Sequence, residues 1–215
     1  MSPGTKLKVR FSRLLLVMAA LSPLAQADAQ TIISELLYDA VGTDSGKVFV
    51  ELYGTPGTLM DGLFLDGVNG SDGSVYLTVA LTGIIGSDGV FVIGDDDGSG
   101  STLVSNADLV ADVDFQNGPD SIVLRDASGV LDALGYGDFS SAVFAGEGNA
   151  AADVVGGWSL ARTVLLDSDD NAVDFTGLDT PTPGSVPVST VPAPPALALF
   201  LSGILGLAGV SRRKG

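Results

Sequence analysis

Two glutamates are the residues of this chain best suited to acid–base or metal chemistry, because each lies inside an otherwise apolar run. Glu35 lies in residues 31–38 (TIISELLY), and Glu51 lies in residues 47–53 (KVFVELY). Paired carboxylates could act as general acid and base or could ligate a cation. Strand alternation could instead turn them to solvent, or set them against backbone amides or a cation near a sheet edge. We favour this second interpretation, because no substrate-binding motif accompanies the pair.

Oxygen-bearing side chains also alternate over residues 167–174 (DSDDNAVD). Calcium prefers hard oxygen ligands at this kind of spacing. The stretch is not an EF-hand loop, since Ala172 stands where the sixth position needs Gly and Leu178 where the twelfth needs Glu. The default interpretation is a solvated acidic loop, and the alternative is a looser calcium loop. The ligands in that alternative are Asp167, Asp169, Asn171 and Asp174.

The single tryptophan, Trp158, is a candidate platform for stacking against sugar rings. A lone tryptophan on a sandwich strand more often packs in the core, where it buries a large apolar area. We therefore expect Trp158 in the core. The other expected core residues are Phe49, Leu63, Leu65, Phe91, Ile122, Leu124 and Leu134.

Charge and composition exclude several classes of function. Among 215 residues, ten Lys and Arg face 26 Asp and Glu, and the chain has no Cys and no His. All the acids lie from Asp28 onward, with only Lys47, Arg125 and Arg162 as bases before the C-terminal cluster, so the middle carries 3 − 26 = −23. This charge repels phosphate backbones, which argues against nucleic-acid binding, and it favours cationic partners. Disulfides, Cys/His zinc sites, Cys nucleophiles and Ser-His-Asp catalysis are excluded.

The elements that must position these side chains are short strands. Apolar strings recur between Gly, Asp and Ser clusters, and no stretch between the two chain ends has a helical period. Residues 126–129 (DASG) form a four-residue hairpin loop with Gly at its end. The spacing predicts an antiparallel sandwich or barrel. The predicted strands are 31–38, 47–53, 63–68, 75–81, 90–93, 109–115, 121–125, 130–136 and 158–162.

Both chain ends indicate export. Residues 1–13 carry four cations, residues 14–21 are apolar, and small residues at Ala25, Ala27 and Ala29 fit a cleavage site. We predict a signal peptide over residues 1–29, removed by signal peptidase.

The C-terminal 25 residues have three parts. A proline box over residues 191–195 precedes an uncharged apolar run at 196–210, and residues 211–215 form a basic tail. Counted from 191, the apolar stretch reaches the length of about 20 residues that a membrane-spanning helix needs. Positive charge after such a run is retained on the cytoplasmic side. We predict one transmembrane helix over about 196–210.

This tripartite end resembles the PEP-CTERM sorting signal, although Ala193 stands where that family usually has Glu. The resemblance implies an exosortase-type processing enzyme as partner, a transient inner-membrane anchor, and a final location in the cell envelope, surface or extracellular matrix. A plain membrane anchor is the alternative. The residues that carry the motif are Val191, Pro192, Ala193, Pro194, Arg212, Arg213 and Lys214.

The middle of the chain contains a series of motifs at residues 33–38, 48–53, 61–66, 117–124, 126–132, 157–162, 169–175 and 180–184. In this order they resemble the lamin-tail domain. Ser34 replaces an Asn usual in that family, and Phe64 lies near its expected Trp. The resemblance implies an immunoglobulin-like antiparallel β-sandwich over residues 30–179, followed by a Pro/Ser/Thr linker over 180–195.

Together these features predict a non-enzymatic, exported surface or matrix protein that an exosortase-type enzyme processes. The alternative is a calcium-dependent adhesion or carbohydrate-binding module, with exopolysaccharide or surface proteins as partners. A hydrolase ranks last, because no second domain and no His would carry its chemistry.

Overall fold

The computed structural model describes residues 30–140 and 143–186. The predicted signal peptide and the predicted sorting signal lie outside these residues. The described part is all-β, with ten strands and one helix of a single turn. This helix is not long and apolar enough to span a bilayer. The elements are β1 (Ile32–Leu37), β2 (Phe49–Tyr53), β3 (Phe64–Asn69), β4 (Val75–Ala80), β5 (Val90–Asp95), β6 (Leu109–Ala111), β7 (Asp120–Arg125), β8 (Val130–Tyr136), β9 (Ser159–Arg162), α1 (Asn171–Asp174) and β10 (Phe175–Leu178).

Two sheets make up the fold. The six-stranded sheet has the order β10-β9-β1-β2-β5-β6, and the four-stranded sheet has the order β4-β3-β7-β8. Neighbouring strands run antiparallel except β5 and β6, which are parallel, so the predicted antiparallel arrangement is confirmed for every other pair. The connection between Asp95 and Leu109 is long enough for this exception, because a parallel pair needs a crossover and not a tight turn.

Turn chemistry separates the strands as the sequence predicts. Between β7 and β8, Asp126 Oδ1 accepts hydrogen bonds from the backbone N–H groups of Ser128 (2.6 Å) and Gly129 (2.9 Å). The Asp126 N–H donates to the Gly129 carbonyl at 3.0 Å and closes the predicted four-residue loop. Aspartate favours such turns because its side chain mimics a backbone acceptor.

The main core lies between the two sheets. Leu36 and Val50 from one sheet meet Leu65 and Leu124 from the other, and all four are fully buried. Tyr38 and Tyr136 stack across the same core with ring centroids 4.4 Å apart. Five predicted core residues lie here: Leu65, Phe91, Ile122, Leu124 and Leu134. Leu63 is half-buried against this core.

The prediction that Trp158 is a core residue is wrong. The residue is 41% exposed. Trp158 ends a tight turn just before β9, and its ring lies beside Gly177 of the edge strand β10. Because Gly177 has no Cβ, the indole can pack against the backbone of β10. Because β10 is an edge strand, the other side of the indole stays open to solvent.

A second apolar cluster covers the outer face of the six-stranded sheet. Phe49, predicted as core, is buried here with Val48, Leu37 and Val92. The partly buried Val186 packs against this cluster, so the chain returns over the sheet after β10. This return brings residues near the C-terminal end of the described chain onto strands that form near its beginning.

Candidate functional site

Glu35 and Glu51 lie directly opposite each other on β1 and β2. Their exposures are 1% and 0%, so neither carboxylate faces solvent. Both lie on the outer face of the six-stranded sheet, among the residues of the second apolar cluster. Like charges opposed across a strand pair destabilise a sheet unless other groups compensate them.

A β-bulge in β1 places Glu35 on this face. The strand register shifts between Ile33 and Glu35, with Ser34 as the extra residue. Ile33 and Leu36 both point into the main core, which strict alternation would not allow. Without the bulge, Glu35 would lie on the core face, and the pair with Glu51 would not form.

The C-terminal segment, residues 180–186, supplies the compensating donors. Glu35 Oε1 accepts from the Thr182 N–H at 2.9 Å, and Glu35 Oε2 accepts from the Thr182 hydroxyl at 2.8 Å. Glu51 Oε2 accepts from the Gly184 N–H at 2.8 Å. We call this arrangement of Glu35, Glu51, Thr182 and Gly184 the clasp.

Serines of the sheet complete the hydrogen bonding of the clasp. The Ser34 hydroxyl donates to Glu51 Oε1 at 2.8 Å, and the Ser159 hydroxyl donates to Glu35 Oε1 at 2.5 Å. Burial raises the pKa of Glu51, and the neighbouring Glu35 charge raises it further, while the hydrogen bonds from Ser34 and Gly184 oppose the rise. All four carboxylate oxygens accept hydrogen bonds from the protein itself. The pair therefore binds its own chain, as the backbone-amide interpretation predicts, although neither residue faces solvent.

The clasp changes where the folded unit ends. The Asn106 side chain donates to the Pro183 carbonyl at 3.1 Å, and Gly184 takes a positive φ of 83° beneath it. A Cβ at Gly184 would lie 2.7 Å from the Asn106 amide nitrogen, so only glycine fits. The first part of the predicted linker over 180–195 is thus bound to the domain, because its backbone donors match buried acceptors.

A second polar cluster surrounds Arg162, whose side chain is fully buried. Its guanidinium donates to both oxygens of Asp132 at 3.0 Å and to Asp174 Oδ2 at 2.7 Å. A longer contact of 3.4 Å reaches Asp167. The guanidinium also donates to the Ile33 carbonyl at 3.0 Å and lies 4.6 Å above the ring of Phe175. Arg162 therefore joins β1, β8 and the α1 region through one charge.

Glu147 brings a further carboxylate to this cluster. Oxygens of Asp132, Glu147 and Asp167 lie within 4.8 Å of one another. Glu147 Oε2 is buried without a hydrogen-bond donor. Burial raises the pKa of Glu147 to about 8, and the charges of Asp132 and Asp167 add to the rise. A proton or a cation would satisfy this oxygen.

The structure does not bring the four predicted calcium ligands together. Asn171 Oδ1 accepts from the N–H groups of Gly135 and Glu147, at 2.8 and 2.9 Å. Asp174 is occupied by Arg162 and Ser168, while Asp169 lies in the exposed loop with a positive φ of 56°. Of the four, only Asp167 belongs to the cluster of carboxylates that Asp132 and Glu147 form. The alternating spacing failed as a guide because α1 turns successive side chains toward different neighbours.

Sequence reasoning missed Arg162, Asp132 and Glu147. Two signals could have found the first two residues. Arg162 is one of three basic residues in the acidic middle of the chain, and Asp132 is a charged residue inside the apolar run 130–136. No local signal marks Glu147, since it lies in a loop of small residues.

The residues of the predicted sorting motif, Val191, Pro192, Ala193, Pro194, Arg212, Arg213 and Lys214, lie outside the described part of the chain. Comparisons with models of known protein families, with curated proteins and with solved structures found no match. The class that the described residues define is an all-β, two-sheet domain with a buried carboxylate clasp at its C-terminal end.

Proposed function

We propose that this chain is a non-enzymatic exported protein of the cell surface or extracellular matrix. In this proposal the signal peptide directs export and is removed, and the C-terminal end holds the protein briefly in the inner membrane. An exosortase-type enzyme then recognises the box over residues 191–195 and releases the domain. The payload is a lamin-tail-like, immunoglobulin-like β-sandwich.

The observation that carries the proposal is the clasp. It fastens residues 182–184 to the centre of the six-stranded sheet, and the predicted box begins at Val191. The folded domain therefore ends a few residues before the proline box that the processing enzyme must reach. Use of Glu35 and Glu51 as internal acceptors also supports a structural role, since a general base needs a free oxygen to take a proton from a substrate.

Mass spectrometry of the C-terminus tests this proposal. We expect protein recovered outside the cells to lack residues 196–215. In cells without the processing enzyme, we expect it to keep these residues and to stay membrane-bound. A variant with Pro192→Ala and Pro194→Ala should accumulate in the membrane. A matched variant with Pro181→Ala, outside the box, should be released normally. Equal release and trimming in cells that lack the enzyme would overturn the proposal.

A second candidate function is a carbohydrate-binding or adhesion module, and the exposed ring of Trp158 favours it. Exposed tryptophans are common on binding surfaces, because one side of the ring is apolar while the N–H stays in water. A binding screen of the purified protein against polysaccharides, with calcium and with a chelator, separates this candidate from a purely structural payload.

A further inference from the structure

A groove of about 390 Å³ lies beside Trp158 at the edge of the six-stranded sheet. Trp158, Val155, Asp153, Thr176 and Gly177 line it. A Cβ at Gly177 would meet Trp158 Cε3 at 3.3 Å, so the indole lies close over the backbone of β10. One side of the ring is supported in this way, and much of the rest remains open to a ligand.

The turn that holds Trp158 is rigidly placed. The Trp158 N–H donates to the Val155 carbonyl at 3.0 Å, and the Gly157 N–H donates to the Asp39 carbonyl at 2.6 Å. Val154 and Val155 also line the groove, and Val155 is 65% exposed. The groove thus has apolar side chains beside an aromatic platform, which is an arrangement that can stack against the C–H face of a ring.

A carboxylate is held in position at the same groove. Asp153 Oδ1 accepts from the Tyr38 hydroxyl at 2.6 Å and from the Val154 N–H at 3.0 Å. Because Asp153 is exposed, its second oxygen is available to a ligand. The carboxylate of Asp39 lies close by, since a Cβ at Gly156 would be 3.0 Å from Asp39 Oδ2.

The charge of the domain selects among ligands. The described residues contain 25 of the 26 acids and three bases, a balance of 3 − 25 = −22. Two of those bases, Arg125 and Arg162, are paired with carboxylates. Anionic glycans are therefore repelled, and a ligand with a positive charge beside an apolar face is favoured.

We propose that this groove binds an amino sugar with a free ammonium group. The C–H face of the sugar stacks on Trp158, the ammonium pairs with Asp153, and the Thr176 hydroxyl reaches a ring hydroxyl. This inference gives the ligand class of the second candidate function. It requires neither calcium nor the C-terminal sorting signal, so its failure leaves the export proposal intact.

The chain contains one tryptophan, so Trp158 fluorescence reports on the groove alone. The full-length protein, in a detergent without sugar groups, is titrated with β-linked glucosamine oligomers, with the same oligomers N-acetylated, and with glucose oligomers. We expect a saturable change with the free-amine oligomer, unaffected by a chelator, and at least tenfold weaker binding to the other two. Asp153→Asn should weaken binding at least tenfold, whereas Asp61→Asn, at an exposed carboxylate outside the groove, should leave it unchanged.

Calorimetry with Trp158→Phe and Trp158→Ala completes the test, because these variants lack the fluorescent probe. We expect the phenylalanine variant to retain part of the affinity and the alanine variant to lose binding. Equal binding of all three oligomers, absence of binding, or equal affinity for an oligolysine peptide would each overturn the proposal, the last by indicating a cationic peptide as the partner.

Discussion

Glu35 and Glu51 are opposed on neighbouring strands, and both accept hydrogen bonds from one short segment far along the chain. Thr182 is 147 residues from Glu35, and Gly184 is 133 residues from Glu51. Two buried like charges would repel each other if their oxygens were not supplied with donors. The C-terminal segment is therefore a structural part of the sheet face, and the carboxylates are the reason that it stays there.

Replacement of Glu51 by Ala should destabilise the domain. The change leaves the Gly184 N–H and the Ser34 hydroxyl without their acceptor in a buried site. Each unpaired buried donor costs about 1–3 kcal/mol. Urea unfolding followed by Trp158 fluorescence should show this loss, while Asp61→Ala, at an exposed site, should change the free energy of unfolding little. Equal stability of the two variants would contradict the role of the clasp.

A smaller change at the other side of the clasp should have a graded effect. Thr182→Val keeps the shape of the side chain and removes the hydroxyl that donates to Glu35 Oε2. One hydrogen bond to a charged group contributes about 1.5–3 kcal/mol to stability. We expect a smaller loss than in Glu51→Ala, together with faster proteolysis after residue 180. Thr176→Val, at an exposed threonine on β10, is the control.

Two arginines provide a matched pair for measuring the buried ion cluster. Arg162 and Arg125 each contact a carboxylate and lie over a phenylalanine ring, but their side chains are 0% and 34% exposed. Arg162→Met should cost about 3–5 kcal/mol, because Asp132 and Asp174 are left as uncompensated buried charges. Arg125→Met should cost clearly less, because solvent screens the half-buried guanidinium and Thr78 still donates to Asp66. Similar losses in the two variants, measured by urea unfolding, would show that burial does not set the strength of these pairs.

The stability of the protein should depend on the ionisation of Glu147. Its pKa is about 8 when folded and 4.5 in its ordinary state. A raised carboxyl pKa means that the folded protein holds a proton that the unfolded chain has released, so stability falls as pH rises from about 4.5 through about 8. In the Glu147→Gln variant, this part of the decrease in stability with rising pH should be absent. Asp170→Asn should retain it, because hydrogen bonding from the Asn149 side chain lowers the pKa of Asp170.

If calcium binds the oxygens of Asp132, Glu147 and Asp167, it should compete with that proton. Carboxylate ligands must be ionised to bind a metal, so calcium affinity depends on pH. We expect millimolar calcium to raise the unfolding temperature at pH 9 more than at pH 6, and we expect no such difference in Glu147→Gln. Calcium stabilisation that is equal at both pH values would place the cation elsewhere.

Much of the β architecture could be predicted from the sequence. Strand periodicity and turn formation depend on residues within a few positions, as the Asp126 loop shows. Nine of the ten strands in the described residues were located in this way. The tenth, β10, was missed because Gly177 and Thr176 interrupt any apolar alternation. The parallel pairing of β6 was also missed, since strand direction depends on the path of a long connection.

The position of Trp158 could not be predicted from its residue type. A tryptophan before a strand packs inside or outside according to the neighbouring strand, and here that neighbour is an edge strand with Gly177 at the contact. Residue type alone favoured the core. The structure instead exposes the ring beside Asp153, which is a contact between elements and not a property of either one.

The sequence by itself determined that this is a strongly acidic, strand-forming chain without thiols or imidazoles, because those properties are local or compositional. Only the tertiary structure decided which charges meet. One extra residue at Ser34 turns Glu35 from the core face to the outer face, and the strand order brings Arg162 to Asp132 and Thr182 to Glu35. Contacts between residues so far apart depend on register and topology, which no short pattern of residues encodes.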